Sequence, residues 1–153
     1  MEAALKGCRY VDNVCVYGGT FSSDLVALVS PNQKSLDELT AQYNKQLLTW
    51  EEKCDDDEIE QMVFVEIVKC AKGANLSKKE IPLRIRLVSE EWTPDNGILT
   101  AALKLKRRMI ETMYKKQLYE LYNEKKIKVV TSKHYDQNNN LNSNGTTIKS
   151  EVI

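Results

Sequence analysis

Histidine is all but missing. The 153 residues hold one, His134. A Ser–His or Cys–His nucleophile system needs an imidazole beside its nucleophile, and a lone histidine close to an Asn- and Ser-rich stretch gives nothing to build one on. Net charge is missing too, with 22 Lys plus Arg set against 22 Asp plus Glu. No general electrostatic pull toward nucleic acid or an acidic membrane follows from that balance. There is no run of 18 apolar residues, so no helical membrane span is expected. The four cysteines, Cys8, Cys15, Cys54 and Cys70, form no C-x-x-C and have no histidine nearby, which argues against zinc. No secretory leader pattern opens the chain, so free buried thiols in a reducing compartment are expected rather than disulfides. The acidic run Asp55-Asp56-Asp57-Glu58 lacks the alternating ligands and the glycine of a calcium loop. It reads instead as charge at a helix N-terminus, worth about 0.3–1 kcal/mol per residue. No metal site is expected.

What is present is a chain with 42% hydrophobic residues, enough for one domain with a modest core. Met1 to Lys6 reads as the last turns of a helix without an N-cap, which is what a cut would leave. Residues 11–17 are β-rich and end at the turn signal Gly18-Gly19. Leu25-Val26-Ala27-Leu28-Val29 is a short apolar run, suited to a strand buried on both faces, and the two runs make an antiparallel pair. Ser35 with Glu38 reads as a capping box. A second segment opens near Trp50, and a long amphipathic helix is expected from Asp57 to about Leu76. Leu83 to Val88 alternates as a half-exposed strand, which points Arg86 outward. Trp92 to Gly97 is a turn, with Pro94 to open it and Asn96-Gly97 to tolerate positive φ. Ile98-Leu99-Thr100 reads as a short extended return. A final helix is expected from Ala101 or Leu103 to Tyr122, with Leu105, Met109, Met113, Leu118 and Leu121 on its apolar side. The expected architecture is α+β, a small and mostly antiparallel sheet flanked by helices. It spans residues 1–125 and is followed by a disordered Asn- and Ser-rich tail over 126–153.

The basic run Lys104-Leu105-Lys106-Arg107-Arg108 admits three readings when taken alone: a solvated helix face, a nucleic-acid or targeting patch, or a catalytic cation. Trp50 and Trp92 read as packing anchors before ligand platforms. Asn75-Leu76-Ser77 and Asn144-Gly145-Thr146 match a glycosylation acceptor pattern, and Glu151-Val152-Ile153 a weak groove-binding terminus.

Three blocks narrow this. Ile81-Pro82-Leu83-Arg84-Ile85-Arg86-Leu87, Trp92-Thr93-Pro94, and Gly97-Ile98-Leu99-Thr100-Ala101-Ala102-Leu103-Lys104-Leu105-Lys106-Arg107-Arg108 together resemble the end of a long-chain fatty acid–CoA ligase of the adenylate-forming superfamily. Tyr114, Tyr119 and Tyr122 extend the match, as do the two upstream strands and Glu2-Ala3-Ala4-Leu5. The resemblance covers roughly residues 1–123. It implies the C-terminal lid domain of an enzyme that joins ATP and a fatty acid into an acyl-adenylate, then transfers the acyl group to CoA. It also implies ATP, CoA and Mg²⁺ as cofactors of the parent enzyme, and an N-terminal adenylation domain as the lid's partner. The parent's setting would be intracellular, at the endoplasmic reticulum, mitochondrial outer membrane or peroxisome. By the motif, Lys104 is the lysine that enters the active site for adenylation. A cation there offsets the repulsion between a carboxylate and a triphosphate, and Lys suits a reach from a mobile domain. Lys106 and Arg107 are weaker candidates for phosphate contacts. Trp92, Gly97 and Thr100 are expected to shape the turn that presents Lys104. The phosphate loop of the family's large domain is not seen in this sequence, so the chain alone is expected to be inactive. The other reading kept is a non-catalytic lid that acts as an interaction module, or a partial gene product.

Overall fold

The computed structural model describes residues 1–19 and 24–123. Within them, β1 (Val11–Gly18), β2 (Leu25–Pro31) and β3 (Arg84–Leu87) form one sheet in the order β1-β2-β3. β1 and β2 pair antiparallel, with Cys15 opposite Leu28 and Tyr17 opposite Val26. β3 adds to the far side of β2 in parallel, with Ile85 opposite Ala27 and Leu87 opposite Val29. A parallel neighbour needs a long crossover. Here that crossover is α2 (Gln33–Gln42), α3 (Trp50–Asp55) and α4 (Asp57–Gly73). The one-turn α1 (Glu2–Leu5) precedes the sheet, and α5 (Arg107–Met113) and α6 (Lys115–Asn123) follow it. The class is α+β with a mixed sheet.

β2 sits at the centre and is covered on both sides, as its unbroken apolar run requires. Ala27 and Val29 join one core with Leu5, Leu36, Ile59 and Ile67. Val26 and Leu28 point the other way, into a second core with Trp92, Ile98, Ile110, Tyr114 and Leu121. The alternation of a strand thus splits one short segment between two helical layers. All four cysteines are free thiols, and Cys8, Cys15 and Cys54 are buried. Burial, the largest influence, pushes the Cys8 thiol up to about 11 and the Cys54 thiol to about 12, so neither is a ready nucleophile.

Several local expectations change. α2 is capped by Asn32, whose Oδ1 accepts the Ser35 N–H at 2.9 Å. Ser35 lies inside the helix and is buried. Asn is among the most favoured N-cap residues, and here its Nδ2 also donates to Asp12 Oδ1 of β1 at 2.9 Å. The reciprocal capping box occurs at α3, between Thr49 and Glu52. α4 ends at Gly73, short of Leu76. Arg86 is not half-exposed. Its side chain is 17% accessible and lies 3.8 Å from Glu60 of α4. The expected tail over 126–153, His134, Asn144 and Glu151-Val152-Ile153 lie outside the described residues. No described helix is long and apolar enough to cross a membrane.

The acidic run acts as helix-terminal charge. Asp56 caps α4 by accepting the Ile59 N–H at 2.9 Å, and Lys45 Nζ reaches both its carboxylate oxygens at 2.7–2.8 Å. Burial pushes this carboxyl up, but the Lys45 ammonium and the Ile59 amide outweigh it and hold it below the usual range. A lowered native value means that the stabilisation is present above the unfolded value, near pH 4, and is lost as pH falls through the native one. Asp56→Ala is expected to cost about 1 kcal/mol at neutral pH. Urea unfolding of both proteins will show the gap narrowing below pH 4.

Candidate functional site

The segment from Glu90 to Arg107 carries the exposed Lys104 on a hydrogen-bonded loop. Trp92 is buried at 2% exposure, and its indole N–H donates to Tyr114 Oη at 3.1 Å. Tyr114 in turn donates to Glu90 Oε2 at 2.9 Å. Burial is the main reason the Tyr114 phenol is pushed up, reinforced by Glu90, so it stays a donor at any ordinary pH. The turn that follows is closed by reciprocal bonds. Thr93 N–H donates to Asn96 Oδ1 at 3.2 Å, and Asn96 N–H donates to Thr93 Oγ1 at 3.3 Å. Gly97 then takes φ +79°, a region open to glycine and strained for other residues.

Ile98 and Leu99 are buried in the second core. Beyond them the chain doubles back on itself. Leu99 bridges Leu105 antiparallel, and Lys106 N–H donates to Ile98 O at 2.9 Å. Between these ends, Thr100 N–H donates to Lys104 O at 2.8 Å, and Lys104 N–H donates to Thr100 Oγ1 at 3.1 Å. Leu103 accepts a left-handed φ of +61° at the bend. The expected helix from Ala101 or Leu103 is therefore a tight loop, and α5 starts at Arg107. The helix also breaks at Tyr114 (φ −110°), whose ring is held in the core by Trp92. Met109 and Met113, among the apolar positions of the expected helix, are each 46% exposed.

The sequence-predicted residues fall into distinct places. Lys104 is exposed on the loop, and its ammonium makes no hydrogen bond or ion pair among the described residues. Lys106 precedes α5, also exposed. Arg107 is engaged within the fold. Its Nη2 donates to Glu2 Oε1 at 2.6 Å, and its Nη1 donates to Val16 O at 3.1 Å and touches Cys15 Sγ at 3.4 Å. Trp92, Gly97 and Thr100 all hold the loop, as just described. Glu2, Ala3, Lys6, Asn13, Lys104 and Arg107 line a shallow cleft of about 340 Å³, with Lys6 Nζ donating to Asn13 Oδ1 at 3.1 Å. No local pattern marks Glu2 or Lys6 as part of this cleft. They stand about a hundred residues from Lys104. Among the described residues no three His, Cys, Asp or Glu side chains gather into a metal site.

Comparison with known proteins decides the lineage. The chain is 38% identical over 122 residues to long chain acyl-CoA synthetase 8 of Arabidopsis thaliana, covering 80% of this chain and 17% of that protein. The chain is a homologue of the long-chain acyl-CoA synthetases. A second Arabidopsis synthetase, named as peroxisomal, is 27% identical over 81% of this chain and 18% of its own length. The adenylation and carrier didomain of a carboxylic acid reductase from Segniliparus rugosus, solved with AMP, matches with a TM-score of 0.63. It is 27% identical and covers 80% of this chain and 15% of that one. No family model matches the chain. The chain spans less than a fifth of the length of these synthetase relatives. The α+β fold is consistent with a lid-type domain of adenylate-forming enzymes.

In this synthetase homologue the Trp92–Tyr114–Glu90 bonds are the hold on the Lys104 loop that is easiest to isolate. Tyr114→Phe keeps the ring and leaves the indole N–H buried without a partner, at a cost of about 1–3 kcal/mol. Denaturant unfolding of the two proteins will measure it, and Glu90→Gln, which keeps an acceptor, is expected to cost less.

Proposed function

We propose that this chain is the C-terminal lid segment of an AMP-forming long-chain acyl-CoA synthetase, in which Lys104 acts in the adenylation half-reaction. The observation that carries this reading is the contrast at Lys104. Its backbone is clamped on both sides by Thr100, while its ammonium is exposed and without a partner. Surface lysines on a helix face normally sit on a repeating scaffold with neighbours of either sign. A lysine raised on a short loop, pinned by a buried tryptophan and two buried aliphatic residues, is positioned for something outside its own domain.

In the proposed role the fatty-acid carboxylate attacks the α-phosphorus of ATP and pyrophosphate departs. Two anions approach, and charge builds on the phosphoryl oxygens. The Lys104 ammonium supplies a compact positive charge where that occurs. The lid then moves away so that CoA can displace AMP. Leu103, 64% exposed, and Met109 and Met113, each 46% exposed, are exposed apolar side chains that a large adenylation domain could cover. That domain would hold ATP, the fatty acid and most of the CoA site. The described residues offer no cluster fit for Mg²⁺, so the large domain would also provide its ligands. Lys106, exposed next to the loop, remains free to meet a phosphate. Arg107, bound to Glu2 and Val16, is better suited to holding the fold.

The test needs a complete synthetase carrying this segment. Lys104→Ala is expected to slow acyl-adenylate formation on the order of 100-fold, the scale of losing one preorganised charge-stabilising donor. Thioester formation from preformed acyl-adenylate is expected to stay near the wild-type rate. Equal loss of both half-reactions would assign Lys104 a structural role instead. The 153-residue chain alone is expected to release no AMP from ATP and palmitate.

A further inference from the structure

We propose that Glu2 and Arg107 form a positioning clamp for Lys104, in which one ion pair ties the start of α5, three residues beyond Lys104, to both α1 and the outer edge of the sheet. The proposal rests on the adenylation reading of Lys104.

The geometry is unusually specific for a partly exposed ion pair. β1 is an edge strand, and Val16 on it takes partners from outside the sheet for both its peptide groups. Its N–H donates to Glu2 Oε1 at 2.8 Å. Its C=O accepts from Arg107 Nη1 at 3.1 Å. The two side chains are joined to each other at 2.6 Å. The consecutive α1 and β1 therefore meet α5, which is far from both in sequence, at one residue of the sheet. The guanidinium makes both contacts because its nitrogens lie in a fixed planar fork, which an ammonium does not have. The far end of the loop is fixed independently by Ile98 and Leu99 in the core. Arg107 fixes the near end. With both ends set, the Lys104 backbone has one position relative to α1, and the cleft lined by Glu2, Lys6 and Lys104 keeps its shape.

A lysine that must reach a transferring phosphoryl group loses rate steeply when displaced by about 1 Å, on the order of 100-fold. Loosening the clamp should therefore act on the rate of the Lys104 step and spare reactions in which Lys104 is withdrawn. Arg107 and Glu2 are positioning residues in this scheme, and neither needs to touch substrate.

Two measurements test it. The first uses a complete synthetase in which residues 1–123 replace the matching segment of the Arabidopsis relative. Glu2→Gln and Arg107→Gln are each expected to slow acyl-adenylate formation about 10-fold to 100-fold, with thioester formation from preformed acyl-adenylate within twofold of normal. The double variant is expected to be no slower than the slower single, because both remove one clamp. Arg107→Lys, which keeps the charge without the fork, is expected to recover part of the rate. Equal losses in both half-reactions, or normal adenylation in variants of a protein that Lys104→Ala inactivates, would overturn the clamp. The second uses amide hydrogen exchange on the 153-residue chain itself, so it reads the clamp even if Lys104→Ala leaves adenylation intact and the functional reading fails. Glu2→Gln and Arg107→Lys are expected to speed exchange at Val16 and also at Thr100 and Lys104. Faster exchange at Val16 alone would show an edge cover that does not position the loop, and would overturn the inference.

Discussion

β2 has no polar face, and the domain is arranged around that fact. Val26 and Leu28 need cover on one side, Ala27 and Val29 on the other. Helices α1, α2 and α4 supply one layer. The other is α5, α6 and the Trp92–Leu99 stretch. The segment that presents Lys104 is thus part of the core before it is a loop. Magnitudes show which effect sets its place. Burying one Ile or Leu is worth about 1.5–3 kcal/mol, whereas a single loop hydrogen bond nets about 0.5–1.5 kcal/mol. Ile98 and Leu99 decide where the loop stands, and the Thr100 bonds decide its shape.

A three-stranded sheet has two edges with unpaired peptide groups, and each needs an answer. Both edges here meet a carboxylate from a helix. Glu60 of α4 accepts the Leu87 N–H of β3 at 3.3 Å, with Arg86 nearby at 3.8 Å. Glu2 of α1 accepts from Val16 of β1 at 2.8 Å, with Arg107 joined to it at 2.6 Å. The second arrangement is much tighter, and its arginine comes from the element that follows the Lys104 loop. The same device that seals the sheet thereby connects the loop to the first helix.

Much of this was readable from local pattern. The apolar run at 25–29, the Gly97 turn and the acidic start of α4 each follow from short-range rules, and each appears where those rules put it. The errors differ in cause. Ser35 was expected to cap α2, yet Asn32, itself a favoured N-cap residue three positions earlier, does so. A continuous final helix was expected, yet burial of Ile98 and the bond between Trp92 and Tyr114 impose a loop at 100–104 and a break at Tyr114. Arg86 alternates outward as expected, yet with Glu60 3.8 Å away its side chain is only 17% accessible. In the last two cases a partner distant in sequence overrode a local preference.

The sequence by itself determined the class and the lineage, and it singled out Lys104 as the residue to propose. Periodicity sets which residues are apolar on which face, and the Trp92 to Arg108 motif carries the family likeness whatever the surrounding geometry. Only the tertiary structure decided that Lys104 stands on a loop held by Thr100 and that Arg107 is tied to Glu2 and Val16. It also decided that Glu2 lies beside them. Those outcomes depend on contacts spanning about a hundred residues, such as Arg107 with Glu2 and Val16. A chain forms them when two cores close on opposite faces of one strand, and no window of neighbouring residues contains that information.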